Sequence, residues 1–149
     1  MARKINEHPE TILEKIRTSI DGQNYIVSLL LEHSTLESYM RDLLLITLSR
    51  DSKISKGLMD NFKRLNFDYV LTLNSITGAV DKNLYSKIKE FSKNRNKFVH
   101  ELIGYDFTIP AVKSEIKELA QKGFTLCKQL SKTYEDFLYD QYEYFSDHY

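Results

Sequence analysis

On a helix of about 3.6 residues per turn, Leu84, Ile88, Phe91, Arg95, Phe98 and Leu102 recur at alternating steps of four and three, which sets all six on one line. A line of that kind faces a core, yet its fourth member is an arginine. A guanidinium keeps its proton in any protein environment, so its place there requires an acidic partner, an anionic ligand or an opening to water. Asn96 and His100 stand four apart beside the stripe and therefore share a face. The stretch from Glu90 to Gly104, E-F-S-K-N-R-N-K-F-V-H-E-L-I-G, sets chemistry where packing is expected, next to the helix end signalled by Gly104.

The rest of the chain reads as helices that could surround this one. With two prolines and five glycines in 149 residues, little interrupts long helices, and the length suits one core. The expectation is an all-α fold, an up-and-down bundle of about five helices with a long C-terminal helix, forming a single domain over residues 1–149. Pro9 suits the first turn of a helix through Ile12, Ile16 and Ile20 that stops at Asp21-Gly22. A central helix from about Gln23 to Ser49 is apolar at Ile26, Leu29, Leu30, Leu36, Met40, Leu43, Leu44 and Leu48. His33 and Glu37 invade its stripe. Glu37 is the candidate counter-charge for Arg95, the alternative being a wet margin of the stripe, and His33 reads as a flank residue.

Arg50 to Lys56 reads as a loop, with Ser55 as a cap for a short helix through Leu58, Phe62 and Leu65 that Asn66 ends. Phe67 to Ile76 is rich in β-branched and aromatic residues, but Phe67, Val70, Leu71 and Asn74 fit a helical face closed by Thr77-Gly78. Asp81 caps the motif helix. Pro110 opens the C-terminal helix through Val112, Ile116, Leu119, Ala120, Phe124, Cys127, Leu130, Tyr134, Phe137 and Leu138, with Gly123 permitting close packing. Its end is acidic and tyrosine-rich, with no lysine or arginine after Lys132. It suits packing or a protein contact, since Phe137, Leu138 and Phe145 keep helical spacing.

Lys+Arg and Asp+Glu number 21 each, so no whole-molecule field draws the protein to a polyanion, and such binding must be local. From Asp81 to Glu101 six cationic side chains stand against three acidic ones, a modest basic stripe in which Lys93 and Lys97 are the RNA-binding candidates; a merely solvated face is the alternative. Cys127, the single cysteine, excludes an intrachain disulfide, suits a reducing cytosol and reads as an inert core thiol. No apolar run is long enough for a membrane span and the N-terminus lacks a signal-peptide core, so a cytoplasmic protein is expected.

Four histidines without paired ligand spacing and one cysteine argue against a metal site, and neither a Gly-rich phosphate loop nor a nucleophile elbow is present. No metal and no cofactor is expected. What remains is metal-free chemistry on an anion: arginine matches phosphate oxygens with a planar fork of donors, and histidine exchanges a proton near neutrality. Those are the parts needed to cleave an RNA backbone. Arg95 and His100 are five apart and point roughly 140° away from each other on a regular helix. Two copies meeting across a two-fold axis would line one cleft with two arginines and two histidines. A cluster that only staples helices is the plain structural alternative.

The R-N-K-F-V-H run of Arg95 to His100, late in an amphipathic helix of a small helical domain, resembles the R-x4-6-H motif of the HEPN superfamily (higher eukaryotes and prokaryotes nucleotide-binding domains). The L-E-S-Y-M-R-D-L-L helix is similar to that superfamily's earlier helix, in which an acidic residue often lies near the motif arginine; Glu37 would take that place. The resemblance implies a helical bundle that dimerises through the motif helix. It also implies a metal-independent endoribonuclease of the toxin-antitoxin or anti-phage defence class, leaving a 2′,3′-cyclic phosphate. Arg95, Asn96 and His100 would be catalytic, Glu37 supporting, RNA the substrate, and an antitoxin or effector protein a further partner, with neither membrane nor DNA involved. Leu102 stands where one toxin subgroup carries the tyrosine of an H-x-Y extension, so control by nucleotidylation there is not implied. Other members of the superfamily are inactive, so a non-catalytic interaction or regulatory module that binds a protein or a nucleotide is the alternative.

Overall fold

The computed structural model describes residues 9–49, 56–101 and 104–148, all in helices, turns or short connections. Six helices follow in chain order: α1 (Pro9–Asp21), α2 (Tyr25–Ser49), α3 (Lys56–Arg64), α4 (Phe67–Ile76), α5 (Lys82–His100) and α6 (Pro110–His148). The fold is all-α with a long C-terminal helix, as expected. Residues 1–8, the 50–55 segment with its expected cap Ser55, and Leu102 lie outside the described residues. So do the side chains of Leu58, Phe145 and His148.

The boundaries follow local chemistry. After α1 the chain turns through Gln23, which adopts φ 60°, while Gly22 and Asn24 donate to Thr18 O and Ser19 O at 2.9 and 2.8 Å. The left-handed residue is therefore Gln23, one past the expected glycine stop, and α2 begins at Tyr25 instead of Gln23. Asn66, expected to close α3, instead caps α4: its side chain accepts from Tyr69 N at 3.0 Å. With that cap, and with Gly78 at φ 78° past the far end, the ambiguous Phe67–Ile76 segment is helical. Asp81 caps α5 by accepting from Leu84 N at 2.8 Å.

The core is built on α2, which packs against α1, α4, α5 and above all α6. Leu29, Leu36, Met40, Leu43 and Leu44 are fully buried, each burial contributing about 1.5–3 kcal/mol. Leu30 and Leu48, expected in the same stripe, are instead exposed, while Leu29, Leu36, Met40, Leu43 and Leu44 take the buried face. Contacts 32 to 127 and 39 to 131 show that α2 and α6 run in the same direction. The pairing of residues 81–87 with 129–133 and of 94–98 with 115–122 shows α5 running against α6. At 39 residues α6 is about 58 Å long; near its end Phe137 and Gln141 turn inward while Leu138, Tyr139 and Tyr142 are exposed. No helix among the described residues is long and apolar enough to cross a membrane.

Candidate functional site

Helix α2 places His33, Glu37 and Arg41 at steps of four, on one face. From helix α5 the Arg95 charge acts on His33 and Glu37, and the α3–α4 junction adds Leu65 and Phe67. Arg41 donates to Glu37 Oε1 from both Nη2 and Nε, at 2.8 and 3.2 Å, and its Nη2 also reaches the carbonyl of Leu65 at 2.7 Å. The second carboxylate oxygen of Glu37 lies 3.8 Å from His33 Nδ1. The His33 ring leans on Phe67 with centroids 5.0 Å apart.

Arg95 sits on the buried stripe as its spacing requires, between Phe91 and Phe98, which are 3% and 2% exposed. Its Nη1 donates to Asn96 Oδ1 at 2.9 Å. Its Nε is buried and finds no hydrogen-bond acceptor among the described residues, and neither does Arg41 Nη1. The expected pairing of Glu37 with Arg95 takes an indirect form. Glu37 acts on Arg95 through its field, opposing the desolvation that pulls the guanidinium pKa down, while its direct ion pair is to Arg41. The reason is spacing: Arg41 lies one turn away on the same helix, and Arg95 reaches across from another.

His33 belongs to this cluster and is more than a flank residue. Burial lowers its pKa, the Arg95 charge lowers it further, and Glu37 pushes the other way, with a net shift downward. Two guanidiniums face one carboxylate. The signal for Arg41 and His33 was present in the sequence as the i, i+4, i+8 spacing around Glu37.

His100 is the last residue of α5 and is exposed. The chain turns beyond it with Gly104 N donating to Glu101 O at 2.9 Å. Tyr105 then stacks on Phe98 at 5.0 Å and closes that end of the bundle. Lys93 and Lys97 are exposed, but Lys97 shares a hollow of about 170 Å³ with Glu115 and Glu118, which offsets its charge. A larger groove of about 470 Å³ between α5 and α6, lined by Lys87, Phe91, Asn94, Lys122 and Leu126 among others, contains neither Arg95 nor His100.

A second polar group escaped the sequence reading. Glu32 is fully buried between α2 and α6, neither carboxyl oxygen has a hydrogen-bond partner among the described residues, and burial pushes its pKa up to about 9. It completes the Leu29, Leu36, Met40 spacing and was legible there as a carboxyl on the core line. Cys127 beside it, a buried core thiol as expected, approaches the Glu32 carbonyl at 3.5 Å, and burial raises its pKa well above the usual thiol value. Comparison of the chain with protein-family models, curated proteins and solved structures returns no match, so a function has to be argued from these residues.

Proposed function

We propose that the chain is a metal-independent endoribonuclease of the HEPN type, of the toxin or anti-phage defence class. It acts in the cytoplasm as a homodimer joined through α5, with an antitoxin or effector protein as a further partner. One observation carries the reading: Arg95 stands on a buried stripe with a guanidinium N–H lacking an acceptor among the described residues, on the helix that ends in exposed His100. A charged donor left unmet in a core is costly unless a ligand completes it. In the reaction, the 2′-oxygen attacks phosphorus as a base takes its proton. The bond from phosphorus to the 5′-oxygen breaks, and an acid protonates the leaving oxygen. Arg95 grips the non-bridging oxygens, Asn96 holds Nη1 of Arg95, Glu37 sets the field, and the His100 side chains of the two protomers serve as base and acid. Lys93 and Lys97 meet the flanking backbone.

The test is incubation of the purified protein with RNA in excess chelator beside His100→Ala. The reading expects cleavage by the wild type and loss in the variant; equal cleavage by both, or none by either, contradicts it.

A second reading, a non-catalytic module that binds a protein partner, is favoured by the exposed Leu138, Tyr139 and Tyr142 on the acidic end of α6. It expects Arg95→Ala to lower stability and nothing else.

A further inference from the structure

We infer that the outward line of α5, formed by Lys82, Lys89, Lys93 and His100 with Tyr85 beside it, is a track for the backbone of single-stranded RNA. Eighteen residues, five full turns, separate Lys82 from His100, so the two point the same way about 27 Å apart. Lys89 and Lys93 fall within about 20° of the same line. All four side chains are exposed, and the opposite side of the helix is the buried one, with Leu84, Ile88, Phe91 and Phe98.

No acid of α5 shares the line. Glu90 and Glu101 each follow a member of it and so stand about 100° round the helix, and Asp81 is engaged in capping Leu84 N at 2.8 Å. Lys97 lies to one side, where Glu115 and Glu118 offset its charge. In a chain whose formal charges sum to zero, polyanion binding needs a local face of one sign, and this line supplies it.

Tyr85 adds what a plain lysine face lacks. It stands one turn from Lys89, whose Nζ lies 5.7 Å from the ring centroid and 3.5 Å from the hydroxyl. Thr72 of α4 also bonds that hydroxyl, which holds the ring at the edge of the line, and Asp68 bounds the line on that side. Cations that follow the backbone and an aromatic ring that stacks a base are the parts of sequence-tolerant single-strand binding. A duplex keeps its bases enclosed and gains nothing from the ring.

The track rests on the ribonuclease reading for calling the polyanion RNA and for setting the cut at the His100 end; the binding itself does not. It adds Lys82, Lys89 and Tyr85 to that reading as residues that hold the strand on one side of the scissile bond without touching the reacting atoms.

The experiment follows the fluorescence anisotropy of a labelled oligodeoxyuridylate, a single strand without the attacking 2′-hydroxyl, against salt with the full chain. Salt-sensitive binding is expected. Lys82→Gln and Lys89→Gln should each weaken it several-fold and lower the slope of log affinity against log salt by about 0.7. Tyr85→Leu should weaken it about ten-fold and leave the slope unchanged. Lys15→Gln, on α1, should match wild type, and all four variants should melt near it. No binding by the wild type, an equal loss in Lys15→Gln, no loss in the α5 variants, or equal affinity for a duplex overturns the track. So does self-association that both salt and Lys82→Gln dissolve in a protein that ignores the oligomer, which assigns the line to the acidic end of α6 of a second copy. RNA cleavage by a protein that fails the binding test would remove the track and leave the ribonuclease reading standing. Binding as described by a protein that cleaves nothing would do the reverse.

Discussion

The Glu32 carboxyl lies against the backbone of Gly123, and this pair joins α2 to α6 at the centre of the bundle. The proximity depends on glycine, since a Cβ at position 123 would overlap Glu32 Oε2 and crowd the Phe91 ring. Gly123→Ala is expected to cost about 1–3 kcal/mol through overpacking. In a Glu32→Ala background the penalty should shrink without vanishing, because the carboxyl atoms are gone and only the Phe91 ring still stands in the way. Denaturant unfolding of the four chains of that cycle measures both effects.

Glu32 also makes stability depend on pH. Its folded pKa is about 9 against an ordinary value of 4.5, so the folded state keeps a proton that the unfolded state has lost. Stability attributable to this group is whole below pH 4.5 and falls as pH rises toward 9, by up to about 1.4 kcal/mol per pH unit. Glu32→Gln cannot lose a proton there. Between pH 7 and 8.5 the wild type should lose about 2 kcal/mol more than Glu32→Gln, and parallel curves would contradict the assignment.

His33 should titrate below a free imidazole. Removing the Arg95 charge, as in Arg95→Leu, is expected to raise its pKa, and Glu37→Gln to lower it, since the two charges act in opposite directions. Because its folded pKa is depressed, the stability tied to His33 is present above the ordinary value of 6.5 and is lost as pH falls through the folded pKa. Ring-proton shifts against pH give all three values.

Asn74 pins α4 to α2. It is fully buried, and its Nδ2 donates to Met40 O at 2.8 Å and to Val70 O at 2.9 Å. Asn74→Ala should cost about 1–3 kcal/mol, and Asn74→Asp at neutral pH more, because it turns a donor into a buried charge. Thermal melts of the two variants rank them.

Helical periodicity carried most of the fold, because stripes at steps of three and four leave few alternatives. The placement of Arg95 on a buried line, the cap at Asp81 and the helix start at Pro110 are read directly from spacing and side-chain chemistry. What escaped was whatever two helices decide together. Spacing along α2 cannot tell that Glu37 turns to Arg41, that Leu30 is exposed, or that Glu32 is enclosed, since each depends on what lies opposite. Gln23 was missed for a different reason: a left-handed turn residue is usually glycine, and one stood next to it.

The central claim is that this chain breaks RNA through the 2′-hydroxyl without a metal. The most direct measurement is single-turnover cleavage, in chelator, of a short RNA and of its twin with one 2′-deoxy ribose at the scissile position. The account predicts a 2′,3′-cyclic phosphate end from the first, no cut at that position in the second, and a loss of about a hundred-fold or more in His100→Ala with an unchanged melting temperature. Equal cutting of both RNAs, or of the first RNA by both proteins, would contradict it.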